Sequence, residues 1–189
     1  MISVLGISGS LRAGSFNTAL LRACSELTPD GMSLEITDAV RAIPLFDGDL
    51  FAAGFPEPVV ALRAAIARAD ALLIATPEYN YSVPGGLKNA LDWCSRGPDQ
   101  PFAGKPAAIL GASPGMSGTM RAQTHLRDIA VFLDLRLLNR PEVILPRCAD
   151  RFEGGVLKDV PTRQLLADLL VALRDHVGQL RADRTPRTP

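Results

Sequence analysis

Residues 6–17 read GISGSLRAGSFN and gather three glycines, three serines and one arginine between two apolar runs. Such a stretch is either a plain turn or a cradle for an anion. A phosphate needs donors that converge without side-chain bulk. Glycines let the backbone approach, successive N–H groups form a nest, and a helix N-terminus adds partial positive charge. Serine hydroxyls donate further hydrogen bonds, and Arg12 offers a forked, charged contact. Ser15 or Asn17 is placed to cap a helix beginning near Thr18. A plain cap and turn is the competing reading of the same residues.

Two phosphate motifs fail here. A G-x-G-x-x-G fingerprint started at Gly6 would need glycines where Ser8 and Leu11 stand. Gly9 and Gly14 have Walker A spacing, but Ser15 and Phe16 follow where Lys and Ser or Thr are required. Without that lysine and hydroxyl, nucleoside triphosphate hydrolysis is not supported. A compact site for a terminal phosphate monoester remains.

Working outward, apolar runs alternate with helical stripes. ISVLGI, SLEIT, ADALLIAT, KPAAILGAS and EVIL read as five strands. Leu20, Leu21, Cys24 and Leu27 recur at helical spacing, as do Val59, Leu62 and Ile66, then Leu87, Leu91 and Cys94. Ala122, Leu126, Ile129 and Leu133 mark a further helix, and Leu166 to Leu180 a terminal one. IPLFDGDLFAAGFPEP, residues 43–58, reads as a long loop. Alternating strands and helices predict an α/β fold, a five-stranded parallel sheet with helices on both faces. Ligands bind such sheets beyond the strands' carboxyl ends. The loops after Ile7, Thr76 and Leu110 are therefore the places for chemistry. One domain over residues 1–182 is expected, with residues 183–189 as a disordered tail.

Composition narrows the classes. With 47% hydrophobic and 21% charged residues, the chain reads as globular. Lysine plus arginine equals aspartate plus glutamate at 20 each, so no basic surface is expected and nucleic acid is not an expected partner. The same neutrality permits self-association. No apolar run has membrane-span length and no signal-peptide pattern precedes ISVLGI, which predicts a cytoplasmic protein without a membrane partner. Cys24, Cys94 and Cys148 are far apart and suggest neither a disulfide framework nor a metal site.

One rival function is written into the third loop. Gly111-Ala112-Ser113-Pro114-Gly115 fits G-x-S-x-G between a strand and a helix, and Asp150 and His176 follow in hydrolase order. Pro114, however, has no N–H to give an oxyanion hole. His176 and His125 both sit inside helical patterns, which predicts packed rather than catalytic imidazoles.

The three loops together resemble the NADPH-dependent FMN reductase family, flavodoxin-like flavoproteins that include quinone and chromate reductases. The likeness rests on GISGSLRAGSFN, IPLFDGDL, TPEYNYSVPGGLKNALDW and HLRDIAVFLDLRLLNRPEV. It implies FMN, with its phosphate held by Ser10, Arg12, Ser15 and Asn17. It implies a flavin ring against Pro77, Glu78, Tyr79 and Asn80, bordered by the third loop at Ser113 and Gly115. Phe46 stands where a tyrosine is common, and Pro114 is an unusual member of the third loop. NAD(P)H would be the donor and a quinone or similar small molecule the acceptor, in ping-pong order. The resemblance also implies a homodimer or homotetramer. No catalytic acid, base or nucleophile is named, because the cofactor carries the chemistry. A flavodoxin-like electron carrier is the further alternative. Such a carrier would ordinarily be acidic, unlike this neutral chain.

Overall fold

Period-two alternation along the central strands sets the layers. In the third strand Leu72 and Ile74 enter one hydrophobic cluster, while Ala71, Leu73 and Ala75 enter the other. The computed structural model describes residues 1–184. Strands β1 (Ile2–Ser8), β2 (Met32–Thr37), β3 (Ala71–Ala75) and β4 (Pro106–Ala112) form a parallel sheet in the order β2-β1-β3-β4. Its last position is shared. β5 (Arg136–Leu137) pairs with Pro106 and Ala107 at one end of β4, and β6 (Val143–Leu145) pairs with Leu110 to Ala112 at the other. The expected fifth strand is thus one sheet edge, interrupted by residues 138–142. EVIL supplies only its second half. The order is that of flavodoxin-type sheets.

β3 and β4 are buried at every position, as strands covered on both faces must be. Helices α1 (Phe16–Glu26) and α6 (Val160–Arg184) cover one face through Leu20, Leu21, Leu169 and Leu173. Helices α3 (Glu57–Arg68), α4 (Gly85–Cys94) and α5 (Met120–Phe132) cover the other through Leu62, Ile66, Leu87, Leu91 and Leu126. A short hairpin of β7 (Phe152–Glu153) and β8 (Val156–Leu157) precedes α6. Helix α6 continues to Arg184, so the first residues of the expected tail are helical. Residues 185–189 lie outside the described ones.

The stretch 43–58 is not a bare loop. Helix α2 (Gly48–Ala52) interrupts it, capped by the Asp47 carboxylate, which accepts from Asp49 N at 2.8 Å. Asn89 of α4 ties the stretch down, donating to Pro44 O and accepting from Phe46 N, both at 2.8 Å. Trp93 Nε1 donates to the same Pro44 carbonyl at 2.9 Å. Phe46 meets the fully buried Trp93 ring at 4.9 Å, and Phe51 and Phe55 complete the aromatic cluster. Trp93 therefore packs the core below the site rather than walling it.

Candidate functional site

Three loops leave the carboxyl ends of β1, β3 and β4, and each is fixed by a different device. In the first, Ser15 rather than Asn17 caps α1: its Oγ accepts from Thr18 N at 3.2 Å. The helix therefore starts at Phe16, two residues before the expected Thr18. The N–H groups of Phe16 and Asn17, in the first turn, have no intrahelical acceptor and are free to meet an anion. The Asn17 side chain is spent elsewhere. It is buried, donates to Ala112 O and accepts from Ala112 N, each at 2.9 Å. What it leaves available to an anion is its backbone N–H, while its amide clasps the first loop to the third.

The second loop is a tight hairpin. Tyr79 and Ser82 exchange both backbone hydrogen bonds at 3.0 Å, and Asn80 and Tyr81 between them take positive φ of 49° and 66°. Left-handed backbone at a tyrosine costs about 1–2 kcal/mol, so surrounding contacts must hold it. They come from α5. The Glu78 carboxylate accepts from Arg121 N at 2.9 Å and Ala122 N at 3.2 Å, capping a helix that has no side-chain cap of its own. Arg121 returns to Glu78 at 3.3 Å and lays its guanidinium 4.1 Å from the Tyr81 ring centre. Ser82 Oγ shares a 2.9 Å hydrogen bond with His125 Nδ1. Glu78 thus offers the site its backbone, its carboxylate being turned to the helix.

The third loop approaches the second so closely that only glycine fits at its base. A Cβ on Gly111 would lie 2.2 Å from Thr119 Oγ1 and 2.4 Å from Thr76 O. Beyond it, Ser113 Oγ accepts from Gly115 N at 3.1 Å.

These loops enclose a cavity of about 380 Å³, within the range of small-molecule sites. It brings together Ser10, Arg12, Ser15, Asn17, Pro77, Glu78, Tyr79 and Ser113, with Phe16, Ala112 and Pro114. Asn80, at the hairpin tip, and Gly115 do not line it. Arg12 extends over the Phe16 ring, 5.4 Å from its centre, and holds no carboxylate. Helix-terminal N–H groups, two serine hydroxyls and a free guanidinium fit a phosphate monoester. The rim of Pro77 and half-exposed Tyr79 facing Pro114 fits a flat ring.

The hydrolase reading fails on geometry. His176 Nε2 is bound to Arg136 O, and Arg136 pairs with Pro106 at the far end of β4 from Ser113. About 20 Å of strand separates the two ends. His125 serves Ser82. It is exposed rather than packed, and Phe132 on the same helix is 76% exposed. Sequence reading also missed Arg121 and Phe16. Arg121 carries no local signal, because Glu78 recruits it from 43 residues away, whereas Phe16 could have been found from the Ser15 cap that makes it the first residue of α1.

The model of the NADPH-dependent FMN reductase family matches residues 2–150. The chain is 55% identical over 181 residues to an NAD(P)H-dependent FMN reductase of Pseudomonas aeruginosa, covering 95% of this chain and 97% of that protein. It is 45% identical over 183 residues to a quinone reductase of Escherichia coli, covering 96% and 93%. Among solved structures, a flavoenzyme NAD(P)H:(acceptor) oxidoreductase of Paracoccus denitrificans matches with TM-score 0.85 and 32% identity, covering 95% and 98%. With the parallel sheet, the helix-capped first loop and the two rim loops above it, these likenesses make the chain a member of the NADPH-dependent FMN reductase family.

Proposed function

We propose that this chain is an FMN-dependent oxidoreductase that takes electrons from NAD(P)H and passes them to quinones or similar small acceptors. The observation that carries the reading is the single cavity in which a helix N-terminus, the carboxylate-free Arg12 and two rim loops converge. The N–H groups of Phe16 and Asn17, the hydroxyls of Ser10 and Ser15, and Arg12 would hold the phosphate of FMN. Backbone groups of Pro77 to Asn80 and the Ser113–Gly115 turn would meet the polar edge of its ring. Bound FMN supplies the hydride and electron transfer, and the protein binds and orients it. No side chain needs to act as acid or base. The one carboxylate lining the cavity, Glu78, is committed to the α5 N-terminus.

The working unit is one flavodoxin-like domain over residues 1–182, in the cytoplasm, assembled as a homodimer or homotetramer. Assembly is supported by the apolar outer face of α5, where Val131 is 81% and Phe132 76% exposed. Isolated large apolar residues are ordinary, but exposed Met120 and Tyr81 stand at the start of α5 beside the second loop, and Val131 and Phe132 carry the apolar surface to the helix's far end. No helix among the described residues is long and apolar enough to cross a membrane.

The deciding experiment is the visible spectrum of the purified protein, followed by heat release of its cofactor. A yellow protein that yields FMN rather than FAD supports the reading. A colourless protein that takes up no FMN on reconstitution overturns it.

A further inference from the structure

A cavity of about 580 Å³ lies beside the site above, over the carboxyl end of β2. It shares Ser10 and Arg12 with the nucleotide cavity, so the two chambers adjoin at the first loop. Arg12 enters it from the first loop, Arg22 from α1, and Arg41 from the turn after β2. Asp38 is the only carboxylate in the lining; with Arg12 given to the FMN phosphate, Arg22 and Arg41 less Asp38 leave this chamber a charge of +1 in a neutral chain.

The three arginines differ from others in the chain. Arg63, Arg121, Arg151 and Arg163 each hold a carboxylate. Arg12 lies over Phe16, and Arg41 donates to Leu11 O. The Arg22 side chain has no hydrogen-bond or ion-pair partner among the described residues. Beside these charges stand apolar walls of Leu11, Ile36 and Val40. A flat apolar-faced base joined to a phosphate suits such a mixture.

Position points the same way. In dinucleotide-binding βαβ units, an acid about 20 residues beyond the first loop receives a ribose hydroxyl and a nearby arginine receives a 2′-phosphate carried there instead; this chain lacks their glycine fingerprint but carries the same pair of residue types after β2. Here β2 ends at Thr37, Asp38 follows at once, and Arg41 stands three residues on. We propose that this chamber receives the adenosine 2′-phosphate end of NADPH, with Arg22 and Arg41 as its specificity-determining residues. This rests on the NAD(P)H reading above. The adenylate half of FAD is the other source of a nucleotide phosphate. It carries no phosphate beyond the pyrophosphate, and would leave Arg22 and Arg41 unmatched.

The test titrates the purified protein, as isolated, with adenosine 2′,5′-bisphosphate and with 5′-AMP in a calorimeter. The wild type should bind the bisphosphate at least tenfold more tightly. Arg22→Ala and Arg41→Ala should each cut that ratio about tenfold, the worth of one charge-assisted contact. In Arg22→Ala the KM for NADPH should rise in step, with KM for NADH and FMN retention unchanged. Equal wild-type affinity for the two probes overturns the assignment, as does a variant that weakens both probes alike. Tighter binding of FAD than FMN, abolished by Arg22→Ala, would give the chamber to FAD and also overturn it. A protein that discriminates the probes but holds no flavin would instead sink the oxidoreductase reading and leave the chamber standing.

Discussion

The side-chain amide of Asn17 and the backbone of Ala112 exchange two hydrogen bonds of 2.9 Å, joining the start of α1 to the end of β4 across 95 residues. Both residues are buried, so neither Ala112 group has water as a substitute. Asn17→Ala should therefore lower stability by about 2–4 kcal/mol, since each orphaned buried group costs about 1–3 kcal/mol. The check is a denaturant titration with unchanged m-value and a lowered midpoint. A midpoint within error of the wild type would mean that Ala112 finds other partners.

Arg12→Ala should weaken FMN binding by about one to two decades while the melting temperature of the cofactor-free protein stays put. Arg12 is exposed and bound to no carboxylate, so its loss leaves nothing buried and unpaired. A charge-assisted hydrogen bond is worth about 1.5–3 kcal/mol. Fluorescence titration of FMN gives the dissociation constant, and an unchanged value would remove Arg12 from the phosphate site.

Glu78→Gln keeps the size of the cap on α5 and removes its charge. The Glu78 side chain is only 7% exposed, so the loss is felt. Stability should fall by about 1 kcal/mol, the scale of a charge at a helix N-terminus. FMN should also bind less tightly, because the strained Asn80–Tyr81 turn loses part of its anchorage to α5. Unaltered stability together with unaltered FMN affinity would show that the hairpin holds its shape alone.

Burial pushes the thiols of Cys24 and Cys94 from 9.0 up to about 12. The folded state holds these protons more tightly than the unfolded state. Their contribution is complete below pH 9 and is lost as pH rises from about 9 towards 12. At pH 10 each should cost about 1 kcal/mol relative to pH 7. Denaturant midpoints at the two pH values check this, with Cys24→Ala/Cys94→Ala expected to flatten the alkaline fall. The same burial predicts that thiol reagents leave the native protein unlabelled at neutral pH; prompt labelling of either residue would contradict it.

On the proposed reading, donor and acceptor both stack over the flavin at the rim of Pro77, Tyr79 and Pro114, and a cavity of about 380 Å³ takes one such ring at a time, so they are expected to bind in turn. Steady-state rates at several quinone concentrations should give parallel double-reciprocal lines against NADPH. Intersecting lines would require donor and acceptor to be bound together, and would favour a second route to the cofactor.

The chemistry of the site was legible in the chain wherever it is local. GISGSLRAGSFN reads as an anion cradle because glycine, serine and arginine act through their own backbone and side chains within a few residues, and the fold places Ser10, Arg12, Ser15 and Asn17 around one cavity. The buried strands and their parallel order were legible for a similar reason, since apolar runs alternating with helical stripes leave few arrangements. Three things came only with tertiary structure: the Asn17–Ala112 clasp, the Glu78 cap on α5, and the arginine chamber over β2. The split last strand and the helix within residues 43–58 belong with them. All depend on partners tens of residues apart, whose meeting is set by the crossover geometry of the sheet rather than by any local pattern. Asn17 shows the difference in one residue. Its type and position suit an anion, but folding brings Ala112 within 2.9 Å, and a buried backbone pair with no water to turn to claims the amide first.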